Sequence, residues 1–183
     1  MTVGTMTAQD QDRTLDFSPM GMWWEITRST SDTDGALFEA INVLQPGFKG
    51  PPLHTHPAAE ESYRVLSGTL DVCVDGAWRQ LTAGQSVTVA AGTPHTLRNP
   101  HAMEVRLINV HKPALEFEKF FRKLQSLVIT GRMTLPPNDF RSLVLVSMLF
   151  VEHEREIRSA KPPHNVMRAI ALFGWLLGYR LQE

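Results

Sequence analysis

Two histidines one residue apart, His54 and His56, constrain this chain more than any other pair of its residues. On an extended strand, side chains two positions apart leave the same face, about 7 Å apart along the backbone, so both imidazoles can turn toward one point. A helical pair would instead be spaced three or four apart. The chain after Pro57 keeps the same parity. In Glu61-Ser62-Tyr63-Arg64-Val65, residues Glu61, Tyr63 and Val65 share a face, so Glu61 points inward with the apolar side. Glu60, the competing carboxylate, points the other way. His95 shares its face with Leu97 and Asn99, again an imidazole beside an apolar neighbour. His54, His56, Glu61 and His95 are therefore candidate ligands of one metal ion, with Tyr63 a candidate pocket group beside Glu61.

That convergence needs a β framework, and the flanking sequence predicts one. Trp23, Trp24, Ile26 and Thr27 mark a strand within residues 20–28, and Leu37 to Leu44 a second, before the breaks at Pro46-Gly47 and Gly50-Pro51-Pro52. Leu70, Val72 and Val74 alternate, Asp75-Gly76 is a two-residue hairpin signal, and Trp78 to Leu81 form the return strand. Val87 and Val89 precede the turn at Ala91 to Pro94, and Met103 to Val110 make a last long strand. Short strands at even spacing, separated by turn residues, predict a jelly roll or closed barrel rather than βαβ units. The two tryptophans either pack an outer strand or, with Tyr63, wall a pocket at the barrel mouth.

Two motifs in this stretch resemble those of the cupin superfamily. The first is His54, one residue, His56, four residues, Glu61, six residues and Gly68. The second runs from Gly84 through Gly92 and His95 to Asn99, with Ala90 where the superfamily has proline. Gly47 and Gly50 bracket the position of the first motif's opening glycine. The resemblance covers roughly residues 36–111 and is nearest in kind to quercetin-dioxygenase-like conserved barrels. It implies a mainly β fold, a single jelly-roll β-barrel, in which His54, His56, Glu61 and His95 bind one divalent transition metal per chain. A donor set of nitrogen and oxygen without thiolate suits Fe, Mn, Ni, Co, Cu or Zn. Four protein ligands would close a tetrahedral zinc site but leave two positions open on a six-coordinate ion.

At Pro113 the hydrophobic period changes from two to about 3.6. Phe117, Phe120, Phe121, Leu124 and Val128 predict an amphipathic helix over 114–129. Asn138 or Asp139 is placed to cap a second helix from Phe140 to Arg158, and Asn165 a third from Val166 to Leu181. Glu152, Glu154 and Glu156 with Arg155 and Arg158 read as a solvated helix end. The expected organisation is a flexible N-terminus over 1–19, a barrel over 20–111, and a helical extension of two or three helices over 112–183 that packs on the barrel or a partner subunit. Gly174 and Gly178 form a GxxxG pair that permits close helix contact. The apolar runs Leu143 to Val151 and Val166 to Leu177 fall short of the ~20 residues that span a bilayer core. Peripheral membrane contact is an alternative use of this tail, which carries 11 Lys and Arg against 7 Asp and Glu.

A formal net charge of −1 gives no global electrostatic case for nucleic acid, and no helix-turn-helix pattern stands beside the barrel. The single cysteine, Cys73, cannot form an internal disulfide, which fits the cytoplasm, and Met1 to Asp16 lack the apolar core of a secretory signal. His101, His111, His153 and His164 lie outside the motifs and read as surface or packing residues, with His111, which follows the last strand, the least improbable addition to the site. The resulting expectation is a metal-dependent small-molecule enzyme of dioxygenase type, with Glu61 as ligand and proton acceptor and Tyr63 as a second catalytic candidate, acting as a homodimer. Its alternatives are a non-catalytic sensor or carrier of a small ligand, and an interaction protein that works through its apolar tail.

Overall fold

The computed structural model describes residues 13–181. Its strands are β1 (Thr14–Phe17), β2 (Met22–Arg28), β3 (Phe38–Leu44), β4 (His54–Thr55), β5 (Glu60–Ser67), β6 (Thr69–Val74), β7 (Ala77–Thr82), β8 (Ser86–Val89), β9 (His95–Arg98) and β10 (Val105–Lys112). Helices α1 (Phe117–Ile129) and α2 (Phe140–Glu152), strand β11 (Arg158–Ser159) and helix α3 (His164–Leu176) follow. The fold is mainly β, with three C-terminal helices. Antiparallel pairing gives a six-stranded sheet, β1-β2-β3-β10-β5-β8, and a five-stranded sheet, β11-β4-β9-β6-β7. This is a jelly-roll arrangement of two sheets rather than one closed ring of strands.

Alternation explains which faces meet. In β5 the buried residues are Glu61, Tyr63 and Val65, and in β10 they are Val105, Leu107, Asn109 and His111. The inward row is apolar at one end of each strand and polar at the other, which concentrates polar groups in one part of an otherwise apolar interior. The β6–β7 hairpin turns through Asp75 and Gly76, both at positive φ (51° and 80°), with Val74 opposite Ala77. Two left-handed residues in a two-residue loop match the right-handed strand twist. Gly50 (φ +82°) precedes β4, and a Cβ there would stand 1.6 Å from the Leu97 carbonyl oxygen. Only glycine lets this loop lie against β9 and deliver His54 beside it.

Several expectations change. Residues 13–19, taken as part of a flexible N-terminus, form β1 and a short 3-10 turn; Leu15 and Phe17 alternate inward and are wholly buried. Residues 1–12 of that expectation lie outside the described residues. The second helix stops at Glu152 instead of Arg158, because the segment after it turns back to pair β11 with β4, burying His153 and Glu156 on the way. Asp139 caps α2, accepting from the Ser142 N–H at 2.6 Å. Helix α3 starts at His164 behind Pro163, so Asn165 is inside it and not its cap. Gly174 packs on Val144 of α2, and Gly178 sits past the helix at φ +85°. The GxxxG pair therefore serves internal packing and helix termination. Helix α1 turns Phe117, Phe120, Phe121 and Leu124 onto the sheets, and no helix among the described residues is long and apolar enough to cross a membrane.

Candidate metal centre

The two sheets bring the candidate ligands together from opposite sides. β4 and β9 are neighbours, with His54 opposite His95 in register, and His56 follows β4 by one residue. Glu61 enters from β5 in the other sheet. Ring centroids are 4.4 Å apart for His54 and His95, 4.9 Å for His54 and His56, and 5.0 Å for His56 and His95. The ligand atoms of His54, His56, Glu61 and His95 lie within 4.8 Å of one another, and all four residues are buried. Donors bound to one ion at about 2.0–2.2 Å can be at most about 4.4 Å apart, so closing on an ion takes movements of tenths of an ångström. Glu60 is half-buried on the outer side of β5 and contributes nothing to the cluster.

The far nitrogen of each imidazole fixes what the near one can do. His54 Nδ1 lies 2.8 Å from the Pro52 carbonyl oxygen, His95 Nδ1 2.8 Å from that of Thr93, and His56 Nδ1 2.6 Å from that of Glu156. A carbonyl only accepts, so this network assigns the hydrogen to Nδ1 in all three rings and leaves Nε2 as a lone pair when the ring is neutral. The Nε2 atoms of His56 and His95 stand 3.0 and 2.7 Å from Glu61 Oε2. Lone pairs facing a carboxylate at these distances need a positive charge between them, which a proton or a metal ion supplies.

Glu61 Oε1 accepts from Asn109 Nδ2 at 2.7 Å and lies 3.1 Å from His111 Nε2. Burial pushes the Glu61 carboxyl up, but His111 and His56 outweigh it and hold it well below the usual carboxylate range. Burial, helped by His95 and His56, holds His54 well below the ordinary imidazole value. Burial lowers His95 as well, yet its hydrogen bond and attraction to Glu61 win and raise it. Tyr63 is pushed well up by burial and then by the Glu61 charge, so its hydroxyl stays protonated and donates to Glu61.

Three participants stand outside the four expected ligands and Tyr63. His111, read as a surface or packing residue, is wholly buried opposite Glu61 in register and lies 4.0 Å, centroid to centroid, from the Phe117 ring. Asn109 is its inward neighbour on the same strand. The parity argument that oriented Glu61 would have found both, since Asn109 and His111 continue the buried row of Val105 and Leu107. Glu156, read as part of a solvated helix end, is 5% exposed and holds His56 from 100 residues away; no local pattern signals such a contact. His101 pairs with Asp71 and His164 with Glu154, both away from the cluster.

A cavity of about 80 Å³ adjoins the cluster, reaching His54, His56, Glu61, Tyr63, Asn109 and His111. Trp24 and Leu44 wall it from the sheet, and Phe120, Phe121, Leu124, Phe150 and Ile157 wall it from the helical extension. Of the two adjacent tryptophans only Trp24 faces it. Trp23 points outward, half-buried, with the Arg106 guanidinium 5.8 Å from its ring centroid.

Two antiparallel sheets enclosing three histidines, a glutamate and an apolar cavity define a jelly-roll protein with an interior site of metal-binding type. Residues 40–111 match the family described as the cupin domain (Cupin_2). The chain is 42% identical over 73 residues to a quercetin 2,3-dioxygenase of Bacillus subtilis (strain 168), covering 39% of this chain and 20% of that protein. It is 27% identical over 104 residues to the HTH-type transcriptional regulator PuuR of Escherichia coli (strain K12), covering 57% of this chain and 55% of the regulator. The chain thus spans less than two thirds of either curated relative. Among solved structures, an RmlC-like cupin from Shewanella frigidimarina shares the fold, at 22% identity and a TM-score of 0.50, over 63% of this chain and 96% of that one.

Proposed function

We propose that this protein is a metal-dependent small-molecule enzyme of dioxygenase type, with one divalent transition ion per chain held by His54, His56, Glu61 and His95. The observation that carries the reading is the shared tautomer: three Nδ1 atoms engaged by backbone carbonyls, with the Nε2 atoms turned toward one buried carboxylate. When bound, such an ion would supply Lewis acidity and, if redox-active, dioxygen chemistry. Asn109 and the protonated Tyr63 keep Glu61 oriented, which makes Tyr63 a positioning group. The ionised Glu61 is the proposed acceptor for a proton of the substrate. Phe120, Phe121 and Phe150 exclude water from above.

The cavity also limits the substrate. At about 10–15 Å³ per water, 80 Å³ holds roughly six waters, the displacement of a compound of about one ring. A polycyclic flavonol would need α1 and α2 to move aside. The test is elemental analysis together with oxygen uptake, using Fe(II)-, Mn(II)- and Ni(II)-loaded protein with one-ring diketones and catechol-like acids. Turnover that disappears in His95→Ala supports the enzyme. Tight binding with no turnover in any metal form favours the second reading, a sensor or carrier. That reading draws on the enclosure of the cavity by helices and on the likeness to a transcriptional regulator.

The partner surface we assign to α3, for a second copy of this chain. Leu172, Phe173, Leu176 and Leu177 are more than half exposed on its outer side and form a continuous apolar strip. A cytoplasmic homodimer is the state proposed, in keeping with the lone buried thiol of Cys73.

A further inference from the structure

Four polar side chains on the cavity wall have buried atoms with no hydrogen-bond partner. These atoms are the indole Nε1 of Trp24, the amide nitrogen of Asn42, the amide oxygen of Asn109 and the ring nitrogens of His111, of which Nε2 still meets Glu61 as an ion-pair contact at 3.1 Å. Asn109 and His111 belong to the surroundings of Glu61. Trp24 and Asn42 do not. They are register partners across β2 and β3, and Asn42 stands two strands and four residues from Glu61 in the same sheet. They are 6% and 3% exposed. The Trp24 ring is flanked by Phe17 and Phe121, at centroid distances of 5.8 and 4.3 Å, so the indole has no room to swing toward another acceptor. A buried donor left unpaired is unfavourable, and two side by side on a cavity wall mark a place where an acceptor belongs.

The charge of that acceptor follows from what else lines the cavity. No Lys or Arg is among its described lining residues. A carboxylate or phosphate at this end would be buried without a counter-charge and strongly disfavoured. We propose that the Trp24 indole N–H and the Asn42 amide form a second recognition point, which takes an uncharged oxygen (ketone, ester, ether or hydroxyl) of a small, largely apolar ligand. The ligand's other end lies at the histidine–glutamate cluster. The proposal rests on the metal-site reading only for that other end, because the Trp24–Asn42 pair is complete without an ion.

The experiment uses the full chain, ¹⁵N-labelled at tryptophan, in metal-free and zinc-loaded forms. Acetophenone is the probe, with benzoate and cumene as size-matched anionic and oxygen-free counterparts. The Trp24 indole signal is assigned by its loss in Trp24→Phe. Acetophenone is expected to move that signal downfield and to bind about tenfold tighter than cumene, and Asn42→Leu to remove about tenfold of acetophenone's affinity while leaving cumene's unchanged. Trp24→Phe, which keeps an aromatic wall, provides the same affinity comparison if Asn42→Leu does not fold. An unmoved indole signal, equal binding of acetophenone and cumene, or preference of the metal-free protein for benzoate overturns the proposal. Since the signal is read without metal, such a failure leaves the metal assignment standing, and loss of metal binding leaves the indole shift intact.

Discussion

Asn109→Leu separates the support given to Glu61 from the ligand set itself. Asn109 is 1% exposed and its Nδ2 donates to Glu61 Oε1 at 2.7 Å, so a leucine of similar size removes one hydrogen bond to an ionised group with little change of shape. A bond of that kind contributes about 1.5–3 kcal/mol, or about 10- to 150-fold in an equilibrium constant. Loss of an outer partner of a metal ligand independently predicts about 10- to 100-fold weaker metal binding. The two routes agree. Zinc affinity measured by competition with a chromophoric chelator should fall by that factor in Asn109→Leu and stay unchanged in Glu60→Gln. The metal-free variant should also lose about 1–3 kcal/mol in urea denaturation, because Glu61 Oε1 then keeps only His111 at 3.1 Å and the Tyr63 hydroxyl nearby. Unchanged zinc affinity beside lost stability would refute the metal role of Glu61's surroundings. Metal loss in Glu60→Gln with retention in Glu61→Gln would reverse the choice of carboxylate.

Metal affinity should rise with pH. His54 and Glu61 are shifted toward the forms that bind an ion, neutral and anionic, whereas His95 is shifted up from 6.5 and holds a competing proton. Affinity is expected to fall about tenfold per unit as pH drops through the raised His95 value and to level off above it, which titrations at several pH values would check. Gly50→Ala combines a positive φ with a Cβ placed 1.6 Å from the Leu97 carbonyl oxygen, so it should cost more than about 2 kcal/mol in denaturant melts and loosen β4. Leu172→Glu with Leu176→Glu should turn the homodimer into a monomer by sedimentation; a wild-type chain that is already monomeric at tens of micromolar rules the dimer out. A chain ending after Lys112 should aggregate and bind metal poorly, while a stable, monomeric, metal-binding barrel would show the extension to be dispensable.

Strand parity made most of this site legible in sequence. It oriented Glu61 against Glu60 and turned His54, His56 and His95 to the inner faces of their strands, because a period of two is set by the backbone and survives any packing. It also contained Asn109 and His111, which were passed over only because neither stands in a spaced motif. The hairpin at Asp75-Gly76 and the cap at Asp139 were readable for the same reason, as local chemistry with one conformational answer. What failed was judged by polarity. Residues 13–19 fall within the stretch expected to be flexible, yet Leu15 and Phe17 are wholly buried and hold it as a strand. The charged residues after Glu152 looked solvated, although a backbone carbonyl, which every residue has, is what this segment contributes.

That carbonyl alters how the extension relates to the barrel. By charge and period the last third of the chain reads as a separable unit, but β4 is only two residues long and is held by β9 on one side and β11 on the other. Without β11 it becomes a short edge, and short edges fray. Without the Glu156 carbonyl oxygen, 2.6 Å from His56 Nδ1, the imidazole is free to adopt its other tautomer, which presents an N–H to the cluster where a lone pair is needed. The segment that follows β10 therefore does two things from the far end of the sequence. Its helices wall the cavity with Phe120, Phe121 and Phe150, and through Glu156 it sets the tautomer of a candidate ligand, His56, that the barrel alone leaves unfixed.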